Sequence, residues 1–398
     1  MVDLVPLALI ISALIIVIGF LGNYLFEKKG IPDMLFLIVL GMIVGPVLHV
    51  FDTSAIQVFA PYISALALVF ILFDGGMGIG IRQVVSRSPR AALLAVLGFL
   101  FSVLVVALFM VLLFGMPLSY GLLFGSIFGG SSSIVVISLA AKIKISENGA
   151  TTLVLESATT DILCIVVSIA LIGVIMTGHA DYMSIGAGIA GKFLIGAGIG
   201  AALGVLALFL LRRIAYLPFS YMLTIAIALF AYAISETLGG SGALSALLFG
   251  LVLGNEIAIF KLLRRKARIT LAVDEGLKRF ESEIAFFIRT FFFVFLGIIV
   301  TISDVNFIFL GIALSFLLLL VRFGAVYLTT VKSELKNERY LLTLILTRGL
   351  AAAVLATLPA QYGLSYSSLF VNFAIVIIMS TAVIATVGVL ILKNKQLK

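Results

Sequence analysis

The sequence predicts an all-α polytopic membrane protein of thirteen transmembrane helices, built as two inverted six-helix repeats with crossed broken helices. Three observations predict it. Of the 398 residues, 63% are hydrophobic and 11% charged, and the mean hydropathy is +1.32, which no soluble domain of this size approaches. The apolar residues fall in runs of about 18 or more, long enough at ~1.5 Å per residue to cross a hydrocarbon core of about 30 Å. The basic residues gather in alternate connections between those runs.

In chain order the spans are 5–26, 32–50, 58–80, 91–115, 118–141, 151–177, 184–211, 218–236, 241–260, 283–302, 306–330, 340–358 and 367–392. The first lacks a basic n-region and a small-residue cleavage site, so it reads as a retained span rather than a signal peptide. Lys28 and Lys29 follow it; Arg82, Arg87 and Arg90 follow the third; Lys142 and Lys144 the fifth; Arg212 and Arg213 the seventh. Lys261, Arg264, Arg265, Lys266, Arg268, Lys278 and Arg279 follow the ninth, Lys332, Lys336 and Arg339 the eleventh, and Lys393, Lys395 and Lys398 the last. Even-numbered connections hold none, which places the amino terminus outside and the carboxyl terminus in the cytoplasm. The net charge of +8 is therefore topology, and no nucleic-acid partner is expected. The basic stretch 261–279 reads as a helix on the inner surface, and neither end carries an extended soluble tail or regulatory domain. The single cysteine, Cys164, excludes a disulfide framework and reads as apolar packing.

An odd number of spans fits two six-helix repeats of opposite orientation joined by a linker helix. The seventh span suits the linker, because Gly196, Gly200 and Gly204 recur at four-residue spacing and give a face for close packing. The fifth and twelfth spans then become equivalent, and each holds a helix-breaking cluster: Gly129, Gly130 and Ser131–Ser133 in one, Thr347, Arg348 and Gly349 in the other. Backbone groups freed at membrane depth are tolerated only where protein or water satisfies them, and half-helix ends offer partial charges to ions.

Two carboxylates, Glu156 and Asp161, lie in the sixth span, which is otherwise apolar enough to cross a bilayer. A carboxylate at that depth costs roughly 3 kcal/mol on insertion scales, so it is kept when paired or facing a wet pathway. This points to ion or proton transport. Five residues apart on a helix, the two lie about 140° from each other and cannot share a face. Arg322 and Arg348 fall near mid-span and call for buried partners; the depth of Arg289 is ambiguous, and Lys192 is close enough to a span end to snorkel. Two readings fit Asp74, a cytoplasmic funnel or a local cap; Glu236 reads as interfacial and His179 as solvated.

Several segments resemble the monovalent cation/proton antiporters, particularly the NhaP-type sodium/proton exchangers, along essentially the whole chain. They are the run 30–46 (GIPDMLFLIVLGMIVGP), Phe73–Met77 (FDGGM), 235–246 (SETLGGSGALSA) and 291–297 (FFFVFLG), in order with Glu156, Asp161 and Arg348–Gly349. The resemblance implies that Asp161, matching the acid of the family's sixth-span Asn-Asp or Asp-Asp pair, binds cation and proton in turn. Burial raises a carboxyl pKa and a bare cation lowers it, so one group can exchange the two ligands. Ser157, Thr160, Ser131 and Ser132 would add oxygens around it. Glu156 and Arg322 are implied as a structural ion pair; an Asp161–Arg348 pair is the competing reading of Asp161. The resemblance further implies a homodimer in a prokaryotic plasma membrane, in contact with lipid. It divides the chain into dimerisation segments 1–80 and 214–303, core segments 81–180 and 304–398, and a linker helix at 181–213.

Two departures matter. Thr160 stands where a second Asp accompanies two-proton exchange, so the implied stoichiometry is electroneutral, one proton for one cation. Ser131–Ser133 replace the usual Thr-Asp-Pro and look more like the potassium-efflux branch, leaving Na+ and K+ both open. No catalytic residue, enzymatic role or cofactor is expected. The alternatives are a sodium-coupled organic-anion symporter of similar repeat architecture, which needs a roomier polar cavity, and a channel, which needs a filter-like loop.

Overall fold

The computed structural model describes residues 4–50, 53–78, 80, 89–132, 135–136, 139, 145–177, 182–214, 217, 219–262, 273–300, 305–331 and 333–396. Among the described residues all regular elements are helical. Among the described residues eight helices are long and apolar enough to span a membrane: Leu9–Lys29, Pro61–Gly78, Pro89–Phe114, Glu147–Thr177, Ala190–Ile214, Glu275–Ile299, Asn306–Thr330 and Ser367–Leu392. A bent pair, Gly242–Gly254 with Glu256–Leu262, makes a ninth, and Asp33–Val47, Leu118–Ile127, Met222–Thr237 and Leu350–Gln361 are shorter apolar helices. These shorter pieces lie where the second, fifth, eighth and twelfth spans are expected. The inner-surface helix expected at 261–279 falls largely on 263–272, which lie outside the described residues, as do Ser133 and His179.

Two elements depart from their predicted form. The ninth span, expected straight over 241–260, bends by 87° at Asn255. Gly254 ends the first piece, Asn255 leaves the helical region at φ −115° and ψ 34°, and its side-chain amide donates to the Leu251 carbonyl at 2.8 Å. The tenth begins at Glu275, two turns before the expected 283, because the Asp274 carboxylate accepts from the Leu277 N–H at 2.8 Å as an N-cap. Lys278 and Arg279 thus belong to the helix rather than to the connection.

The chain forms two compact units. The first comprises residues 1–63, 88–171 and 290–398, the second 64–87 and 172–289. Lipid tails are as apolar as leucine, so packing inside each unit rests on close contact, which small residues permit. In the first unit Gly41 and Gly297 face each other: a Cβ built on either would lie 2.8 Å from the other's Cα. The Phe124 and Phe370 rings stack at 3.8 Å there. In the second unit the expected glycine face of the seventh span is seen, with a Cβ at Gly196 2.5 Å from the Ser241 carbonyl oxygen and one at Gly204 2.8 Å from Val252 Cβ.

Candidate functional site at two broken helices

The Leu118–Ile127 helix stops at Phe128, Gly129 to Ser132 follow as an irregular stretch, and the Ser132 carbonyl accepts from the Val136 N–H at 2.9 Å, where helical bonding resumes. On the other side the Arg339–Leu344 helix gives way to an irregular stretch over 345–349 before the Leu350–Leu355 helix starts. The two stretches meet: the Ser132 N–H donates to the Thr347 carbonyl at 2.7 Å. The buried Arg348 guanidinium donates through Nη1 to the Gly130 carbonyl, and the Arg348 N–H donates to Thr381 Oγ1 at 3.1 Å. Backbone groups freed by each break are thereby bound by the other break or by a neighbouring side chain, as the membrane interior requires.

Glycine is needed for this approach. A Cβ at Gly130 would sit 2.6 Å from Cys164 Sγ, one at Gly129 would enter the Phe99 ring at 2.6 Å, and one at Gly349 would lie 2.5 Å from Ser132 Cβ.

Against this crossing lies the Glu147–Thr177 helix. Glu156, 3% exposed, accepts two bonds from Arg322, Nη1 to Oε1 at 3.1 Å and Nη2 to Oε2 at 3.2 Å. Arg322 Nε donates to the Leu342 carbonyl at 2.9 Å, so the guanidinium also holds the broken span. The Ser131 hydroxyl donates to Glu156 at 3.0 Å, and its N–H donates to Thr160 Oγ1 at 3.2 Å. The Thr160 and Ser157 hydroxyls donate to the Ser157 and Val154 carbonyls, each at 3.0 Å. Asp161 is half-buried and within electrostatic reach of Arg348, as are Glu156 and Arg322.

The structure therefore brings together Glu156, Arg322, Ser131, Ser132, Thr160, Gly129, Gly130, Arg348 and Gly349, with Ser157 and Asp161 on the same helix. Asp74 belongs to the second unit, where Ser282 Oγ donates to it at 3.3 Å and Arg289 acts on it electrostatically.

Sequence reasoning missed several polar residues. Thr381 holds the Arg348 backbone, and Thr347 is fully buried with an Oγ1 that has no hydrogen-bond partner among the described residues. Glu281, 1% exposed in the second unit, accepts from Thr224 Oγ1. Glu256 takes an ion pair from Arg212 at 2.8 Å. Glu281 is legible once the helix is seen to begin at Glu275, since the apolar run that predicts the tenth span starts two residues after it. The threonines are not, since a hydroxyl barely perturbs hydropathy.

A family model described as the transmembrane region of sodium/hydrogen exchangers matches residues 10–394. The chain is 29% identical over 382 residues to the K(+)/H(+) antiporter NhaP2 of Shewanella sp. strain MR-4, covering 93% of this chain and 63% of that protein. It thus spans under two thirds of the length of that relative. Over 282 residues it is 26% identical to the low-affinity Na(+)/H(+) antiporter NhaS1 of Synechocystis, covering 70% of this chain and 51% of that one. Its fold superimposes with a TM-score of 0.74 on the sodium proton antiporter MjNhaP1 of Methanocaldococcus jannaschii, at 22% identity and 96% and 99% coverage.

Proposed function

Because the chain belongs to the family of transmembrane sodium/hydrogen exchangers, we propose that it is an electroneutral antiporter that exchanges one Na+ or K+ for one H+ at Asp161. The observation that carries this reading is the division of labour on the Glu147–Thr177 helix. Glu156 is held by Nη1 and Nη2 of Arg322 and by the Ser131 hydroxyl, which suits a fixed structural charge. Asp161, about 140° away around the helix, half-buried and within electrostatic reach of Arg348, is the carboxylate to which the resemblance assigns the exchange. Thr160, where a second acid would double the charge, is neutral and donates to a backbone carbonyl.

A single carboxylate that holds either a cation or a proton couples the two fluxes by competition. Ser157, Thr160, Ser131 and Ser132 supply oxygens nearby. The carrier cycles by alternating access as a homodimer, with thirteen spans in two inverted repeats. Segments 81–180 and 304–398 form the moving core, and 1–80 and 214–303 the dimer-forming part. The amino terminus faces outward.

The test is proton flux in proteoliposomes on addition of Na+, Li+, K+ or Rb+, with and without a clamped membrane potential. Asp161→Asn is expected to abolish exchange with the protein still folded, and wild-type rates to ignore the potential. Full exchange in Asp161→Asn overturns the site; rates that require net charge per cycle overturn the stoichiometry.

A further inference from the structure

Ten residues before Glu156 and ten before Arg348, the same two elements touch again. The Glu338 carboxylate accepts from the Ser146 N–H at 2.7 Å through Oε1 and from the Ser146 hydroxyl at 3.0 Å through Oε2. Ser146 Oγ in turn accepts from the Gly149 N–H at 3.0 Å, which makes it the N-cap of the helix that carries Glu156 and Asp161. The negative carboxylate thus sits at the positive end of that helix. Glu338 closes the short turn Glu334–Glu338, and the next residue opens the half-helix leading to Thr347–Gly349. Arg339 Nε donates to Thr330 Oγ1 at 2.6 Å, and its guanidinium lies 4.4 Å over the Tyr327 ring, both on the helix that carries Arg322. Residues 338 and 339 therefore bind the same ends of all three elements that supply charge to the crossing.

Gly149 records the fit from the other side. A Cβ there would fall on Glu338 Oε2, so the carboxylate occupies the room that the glycine leaves. Glycine inside a first helical turn is otherwise unfavourable.

We propose that Glu338 is a positioning residue for cation binding: it fixes the tilt and register of the Asp161 helix against the broken span. The inference rests on Asp161 being the exchange site. Near its middle the helix is tied to Arg322 at Glu156 and to the first broken element at Thr160 and Ser168, whose hydroxyl lies 2.8 Å from that of Ser126; at Ser146, about 15 Å along the axis from Glu156, it is tied to the second broken element. Asp161 lies about 7.5 Å beyond Glu156, so a 1 Å tilt at Ser146 about that point displaces it by roughly 0.5 Å against the Ser131–Thr160 bond beside it, about the tolerance of a functional constellation. Register between the two elements thereby becomes a determinant of cation affinity.

The experiment measures apparent KM and Vmax for Na+ and K+ in proteoliposomes, beside melting temperature in detergent, for Glu338→Gln, Gly149→Ala and the double variant. Glu338→Gln removes the charge; Gly149→Ala keeps it but displaces the carboxylate. Each single variant is expected to raise KM roughly threefold or more with Vmax nearly kept, and the double variant to go no further, because both break one contact. Ser333→Ala serves as a stability control, since it removes only the N-cap hydroxyl of the 334–338 turn. Unchanged KM in both single variants overturns the proposal, as does a KM rise of equal size in Ser333→Ala at equal loss of melting temperature. Failure of the underlying reading shows separately, as retained exchange in Asp161→Asn. Failure of this one shows as an unchanged KM in a carrier that Asp161→Asn silences.

Discussion

Arg322 and Glu156 meet with two parallel hydrogen bonds, both side chains largely buried and Ser131 occupying the remaining side of the carboxylate. Two charges taken out of water together are tolerable; one alone is not. Glu156→Gln or Arg322→Met should each cost about 3 to 5 kcal/mol, because the partner is left uncompensated. Glu156→Gln combined with Arg322→Met should recover part of that loss, which melting curves in detergent will show; a double variant as unstable as the sum of the singles contradicts it. The pairing itself was legible, since a mid-span arginine needs an acid and the resemblance named one. What Ser131 does was not. A serine in an apolar run reads equally well as a cation ligand, a capping group or packing, and only the fold shows its hydroxyl aimed at Glu156. Thr381 was hidden for the same reason: its bond to the Arg348 backbone joins residues 33 apart in the chain.

Both breaks were legible as elements. Gly129–Gly130 followed by serines, and Thr347–Arg348–Gly349, are sequences that cannot hold a helix in lipid without outside partners, and the structure supplies those partners across the crossing. At the Gly349 contact, Gly349→Ala places a methyl 2.5 Å from Ser132 Cβ. Overpacking of this kind costs about 1 to 3 kcal/mol. Ser132→Gly in the same background should return most of the lost melting temperature; no recovery would place the strain elsewhere. The bend at Asn255 was not legible. Within the run 241 to 260 the strongest interruption of the apolar residues is Gly254, Asn255 and Glu256, and a hydropathy window averages them away; the 87° turn there is held locally by Asn255 on the Leu251 carbonyl and at a distance by Arg212 on Glu256. The start of the tenth helix was misjudged because apolar windows do not register an Asp cap followed by a charged first turn.

For the molecule as a whole, composition carried the all-helical membrane class, and basic-residue placement carries the expected orientation. Orientation can be checked directly, because the single native thiol, Cys164, is 2% exposed beneath Gly130. Lys336→Cys should react with a membrane-impermeant maleimide only from the cytoplasmic side and Ser365→Cys only from outside, both positions being exposed; the opposite pattern inverts the topology. The division into two compact units was beyond reach of the sequence. Its boundaries cut through the Thr53–Gly78, Glu147–Thr177 and Glu275–Ile299 helices, where composition does not change, because units are defined by packing between distant segments. The contact of Gly41 with Gly297 carries a consequence of another kind. Each position already holds the smallest residue, so neither can give way to accommodate change in the other. For a drifting lineage the crossing is closed to single steps. Any larger residue there must arrive together with a shift of both helices, and the contact persists while the sequence around it is free to wander.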